Sequence, residues 1–140
     1  MKKASWIVLL ALGLAMLALS LVSAVTAYTG NWAIGPTTLA RIEAATPGAG
    51  VALRGSRATA AAFASAYWVL FLIIVLGPYR RGEVWAWWAL LGSILSLAAI
   101  ILLRVPLIGT TLGAITGIVP LALVLLGLLL DPGRVRGSGR

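Results

Sequence analysis

Few side chains in this sequence can do chemistry. Three acids, Glu43, Glu83 and Asp131, stand against eleven basic residues, and histidine and cysteine are both absent. Without imidazole or thiol there are no disulfides, no thiol redox steps, and no zinc, haem or iron–sulfur site built on those ligands. The serine and threonine hydroxyls lack a histidine or buried lysine to activate them as nucleophiles. No Gly-rich phosphate loop of Walker spacing occurs. What remains is recognition, by guanidinium groups that reach phosphates and indole rings that settle at headgroup depth. The expectation is a non-enzymatic protein with no cofactor and no metal.

The segment richest in such groups is Pro78-Tyr79-Arg80-Arg81-Gly82-Glu83-Val84-Trp85-Ala86-Trp87-Trp88. Pro78 is expected to end one helix and Gly82 to permit a tight turn. Arg80 and Arg81 can reach phosphates, and Trp85, Trp87 and Trp88 form an aromatic belt. Two roles fit these residues: a topology anchor, or a specific site for a lipid headgroup or partner. Because the same residue types suit any membrane interface, the anchor is the simpler reading. Glu83 and Asp131 are expected on the same side of the membrane, paired with Arg80, Arg81 or Arg134. Glu43 is expected on the other side.

These groups are positioned by apolar runs. Of the 140 residues, 61% are hydrophobic and 10% charged, against roughly 45–50% and 25% in soluble domains. Four runs free of Asp, Glu, Lys and Arg cover residues 6–27, 58–77, 84–103 and 107–130. Each is long enough to cross about 30 Å of hydrocarbon as a helix. Backbone in lipid must satisfy its own hydrogen bonds, and the runs lack the alternation of a β-barrel. The predicted fold is therefore all-α: one polytopic membrane domain, four transmembrane helices in a compact bundle. An outer loop would span 28–57 and a disordered basic tail 131–140. Within the loop, residues 37–46, with Leu39 and Ile42 three apart, form either a short amphipathic helix or an irregular loop, stopped by Pro47-Gly48-Ala49-Gly50.

The first run could instead be a cleaved signal peptide, since Val25-Thr26-Ala27 suits a cleavage site. Its length exceeds the 7–15 residues usual for a signal core, so it is taken as an uncleaved span. With the amino terminus inside, Lys2, Lys3, Arg80, Arg81, Arg134, Arg136 and Arg140 are cytoplasmic; Arg41, Arg54, Arg57 and Arg104 are outside. The positive-inside rule then places both termini in the cytoplasm of a multi-pass plasma-membrane protein. The net charge of +8 flanks apolar runs and does not cluster on one stripe, so the expected partners are anionic headgroups at the cytoplasmic face and not nucleic acid.

On the fourth run, Gly109, Gly113 and Gly117 repeat at small-xxx-small spacing, in one arc with Thr116, Pro120 and Gly127. Such a stripe lets helix backbones approach, within the chain or between chains; the alternative is a groove for a lipid tail or ligand. Weaker small faces are expected at Ala58, Ala62, Ser65 and Ala66, at Ala89, Gly92, Ser93, Ser96 and Ala99, and at Gly13, Ser20, Ala24 and Ala27.

The wording Arg-Arg-Gly-Glu-Val-Trp-Ala-Trp-Trp between two apolar helices is similar to that of small four-span prokaryotic membrane proteins with an Arg-Gly-Glu-x-Trp-Ala-Trp turn after the second helix. The match runs over about residues 28–130, with the turn its distinctive part, and no functional residues carry over from it. The functional expectation is action through helix–helix or lipid contacts, as a homo-oligomer or as a subunit of a larger membrane assembly. The alternative is a carrier or binder of lipids or other uncharged apolar molecules.

Overall fold

The computed structural model describes residues 2–109 and 114–131. Apart from a minute hairpin, the described chain is helical. Its elements are α1 (Lys2–Thr29), β1 (Ala33–Ile34), β2 (Thr37–Thr38), α2 (Leu39–Ala45), α3 (Ala49–Ile74) continued by a π turn (Val75–Tyr79), α4 (Val84–Leu102), α5 (Arg104–Ile108) and α6 (Ala114–Leu129). Contacts divide the chain into two units, Met1–Leu14 with Leu70–Arg140, and Ala15–Val69. Three helical stretches, Ala4–Thr29, Ala49–Tyr79 and Val84–Leu107, are long and apolar enough to cross a membrane.

In the first unit, α4 and α6 pack together along their lengths. Ala86, Leu90, Ile94 and Ala98, spaced by four, form the buried face of α4. From α6, Gly117, Pro120, Val124, Gly127 and Leu128 are buried. Three glycines mark close approaches: an added Cβ would come within 2.9 Å of Ile101 at Gly117, 2.6 Å of Leu9 at Gly127, and 2.6 Å of Leu72 at Gly13. Without a hydrophobic force between helices in lipid, such contacts supply the packing.

Several sequence expectations need correction here. The fourth run, 107–130, is not one helix. Gly109 closes α5 in the left-handed region, with φ +69, so it belongs to a helix stop and not to the packing stripe. Gly113 lies outside the described residues, as does the tail beyond Asp131. The 16 residues of α6 rise only about 24 Å. Nor does Pro78 end its helix. A five-residue π turn carries the backbone through it, because the wider turn gives the ring room against the preceding carbonyl. The helix stops at Gly82, where φ is +96 and the Gly82 and Glu83 amides return to the carbonyls of Tyr79 and Pro78. That is a Schellman close, for which glycine carries no Cβ penalty. The small face expected on α4 is also misplaced, since Gly92, Ser96 and Ala99 are exposed.

In the second unit, β1 and β2 pair antiparallel across Gly35 and Pro36. Gly35 takes φ +59, as a two-residue hairpin requires at its first turn position. Thr38 Oγ1 accepts the Arg41 amide at 3.4 Å and Asn31 Oδ1 accepts that of Ala40 at 3.1 Å, which starts α2. So the stretch 37–46 does hold a short helix, Leu39–Ala45. The loop expected over 28–57 is nonetheless shorter, because α3 already begins at Ala49. Glu43 nucleates that start by accepting the Gly50 amide and, at 3.0 Å, the Gly48 amide. A carboxylate there also complements the positive end of the helix dipole. Ser20, Ala27, Leu39, Ala58, Ala61 and Trp68 are buried in this unit, while Ala62 and Ala66, on the small face expected to pack, are exposed.

Candidate functional site

Two polar clusters hold the groups that could recognise something. The first gathers the beginnings of α1 and α4 with the ends of the π turn and α6. Ser5 and Tyr79 are fully buried, and their hydroxyls meet at 2.5 Å. Ser5 donates its proton to the Gly127 carbonyl at 2.6 Å, so the Tyr79 hydroxyl donates to Ser5. Trp87 Nε1 donates to the Leu128 carbonyl at 3.4 Å. The last carbonyls of any helix lack partners within it, and a hydroxyl and an indole from other helices serve those of α6. Asp131 is buried immediately beyond, its amide bonded to Leu128 O.

The predicted Arg–Trp site is therefore divided. Trp87 turns inward as a cap and packs edge-to-face on Trp88, ring centroids 4.9 Å apart. Trp85 and Trp88 are each 55% exposed. Trp85 Nε1 donates to the Glu83 carboxylate at 2.5 Å, so this acid engages an indole. Arg80 is exposed and its guanidinium lies 5.1 Å from the ring centre of Trp6, within cation–π range. Arg81 is exposed. Arg80, Arg81, Trp85 and Trp88 thus remain presented outward, and Trp6 joins them.

The second cluster, at the junction of α1, the hairpin and α3, was counted in the sequence only as loop charge. Arg54 Nη1 donates to the carbonyls of Gly30, Ala27 and Tyr28 at 2.8, 3.4 and 3.5 Å. A guanidinium thereby closes the C-terminal end of α1, where positive charge is favoured. Arg57 Nη2 donates to Thr26 Oγ1 at 3.2 Å. Both guanidiniums lie over Trp32, at 5.6 Å for Arg54 and 4.4 Å for Arg57. A cavity of about 510 Å³ beside them is lined by Asn31, Glu43, Val51 and Arg54 among others; a second of about 550 Å³ is lined by Tyr28, Ala58, Ala62, Phe63 and Ala66.

The sequence signals for these missed residues were present but faint. Ser5 is the one polar residue between Lys3 and the apolar run, and Arg54 and Arg57 share a helix face by spacing once α3 is known to begin at Ala49. Ser20, Thr26, Thr29, Ser65 and Ser93 donate their hydroxyl protons to carbonyls of their own helices. Among the described residues, no group of three or more acids could hold a metal. No family model, curated protein or solved structure matches the chain.

Proposed function

We propose that this chain is a small non-enzymatic integral membrane protein that works through helix–helix and lipid contacts, as a subunit of a larger membrane assembly. The observation that carries the reading is the outward apolar surface on every long helix. Leu19 and Val22 on α1, Phe63 and Ile73 on α3, Ile100 on α4 and Ile115 on α6 are large and exposed. Water does not tolerate so continuous an apolar exterior; lipid or another membrane helix does. In this reading α5 and α6 together complete a fourth crossing, both termini are cytoplasmic, and the protein is of the same kind as the four-span proteins its Arg–Trp turn resembles. Arg80, Arg81, Trp85 and Trp88 meet anionic headgroups on the cytoplasmic side.

A second reading, a binder of lipids or uncharged apolar molecules, is favoured by the cavity between Tyr28 and Phe63, whose floor is Ala58, Ala62 and Ala66. Purification in mild detergent separates the two: a stoichiometric co-purifying membrane protein supports the subunit, whereas a retained apolar ligand without a protein partner supports the binder. Topology is tested in this cysteine-free chain by single cysteines at Gly48 and Ser138. An impermeant thiol reagent should label them from opposite sides, and labelling from the same side refutes the four-span reading. A mature amino terminus at Tyr28 would show that the first run is a cleaved signal.

A further inference from the structure

Arg54 and Arg57 place two guanidinium groups against one indole, and among the described residues neither hydrogen-bonds a carboxylate. The sole acid of their unit, Glu43, gives its carboxylate to the amides of Gly48 and Gly50. The two arginines are not equivalent. Arg54 has a structural task, closing the carbonyls that end α1. Among the described residues Arg57 makes one hydrogen bond, to Thr26 Oγ1, whose proton goes to Ser23 O at 3.0 Å. A guanidinium offers five N–H donors in a planar fork, so a neutral hydroxyl and an indole face leave most of the Arg57 fork unused. Half-burial and the Trp32 ring, 4.4 Å away, hold that fork in place, which lowers the ordering cost of gripping an anion.

We propose that Arg57, held by Trp32 and reinforced by the charge of Arg54, binds the phosphate of an anionic membrane lipid. Two fixed like charges favour an anion between or beside them, and a fork suits two oxygens of one phosphate. Tyr28 and Val51, each more than 70% exposed, supply apolar surface beside the pair, which a lipid would cover and a free anion would not. The proposal rests on the membrane reading above. Resistance to alkaline carbonate extraction tests that reading on its own, so the two can fail separately.

The test is native mass spectrometry of the full-length protein in mild detergent, titrated with phosphatidylglycerol, phosphatidylcholine or inorganic phosphate. An Arg80→Gln/Arg81→Gln background removes the other exposed arginine pair. The expected result is preferential binding of phosphatidylglycerol, weakened about tenfold by Arg57→Gln and also weakened by Arg57→Lys, which keeps the charge but loses the fork. Equal binding of the two lipids, or undiminished phosphatidylglycerol binding by Arg57→Gln, overturns the proposal. Binding of inorganic phosphate without a lipid preference overturns the lipid assignment. Should Arg57→Gln fail to fold, Arg57→Lys decides: affinity equal to the unsubstituted arginine refutes a fork-specific grip.

Discussion

Ser5→Ala gives the sharpest test of how the helix ends are held. Ser5 is fully buried and joins Tyr79 OH to the Gly127 carbonyl. Each such bond contributes about 1 kcal/mol net, so losing both should cost about 2 kcal/mol. That is about a 30-fold fall in the folded-to-unfolded ratio. Tyr79→Phe leaves the Ser5–Gly127 bond in place, so for this pair it removes about 1 kcal/mol. In the double variant the shared bond is lost only once. Its cost should fall short of the sum of the single costs by about 1 kcal/mol, and this coupling isolates the pair whatever else Tyr79 touches. Unfolding equilibria in mixed micelles, followed by far-UV circular dichroism, measure all four corners of the cycle. Strict additivity, or a Ser5→Ala cost below about 0.5 kcal/mol, would refute the argument that this hydroxyl bridges the two elements.

Gly117→Leu should destabilise the α4–α6 contact by about 1–3 kcal/mol, since a Cβ alone meets Ile101 at 2.9 Å, whereas Ile115→Leu at a 74% exposed position should be neutral in the same unfolding assay. Gly109→Ala should destabilise by about 1 kcal/mol because its φ of +69 disfavours a Cβ; a gain of about 1 kcal/mol would mean that Gly109 sits in a continuous helix, where alanine is the better residue. Arg80→Lys with Arg81→Lys should leave membrane insertion and lipid retention unchanged if these residues anchor by charge, each contributing about 1 kcal/mol. Normal insertion with loss of one specific lipid or partner would make that turn a binding site.

The long helices were legible because a bilayer sets their length, and an uncharged run of twenty residues has few other uses. Their ends were less so. Residues 49–57 contain two arginines and five small residues, and hydropathy cannot tell a helix start from a loop there. The start of α3 depends on Glu43, which precedes it in sequence and reaches across Pro47 to the Gly48 and Gly50 amides. Helix faces were legible only in part. When nearly every residue is apolar, periodicity no longer separates inside from outside, and the small residues were a poor guide: Gly117 packs, yet Gly92 and Ala62 are exposed. Nothing in the wording of the Arg–Trp turn says that Trp87 serves a carbonyl of α6 while Trp85 and Trp88 stay exposed.

Among the described residues, several polar groups serve helix termini, and that sets apart the ones that do not. The hydrocarbon interior of a bilayer offers no hydrogen bonds, so a terminal carbonyl or amide within it needs a protein partner. Arg54 serves the end of α1, Glu43 the start of α3, Gly82 the close after the π turn, and Ser5 with Trp87 the end of α6. Each of these residues has a structural reason to be where it is. In the proposed orientation, basic residues outside the cytoplasm work against the positive-inside preference. Arg54 has its role in the carbonyls of α1. Among the described residues, Arg57 closes no helix, meets no acid, and spends one donor on a threonine hydroxyl already committed to a neighbouring carbonyl. A cation retained against the insertion preference, with its fork fixed over Trp32 and largely unused, is where an external anion would gain most.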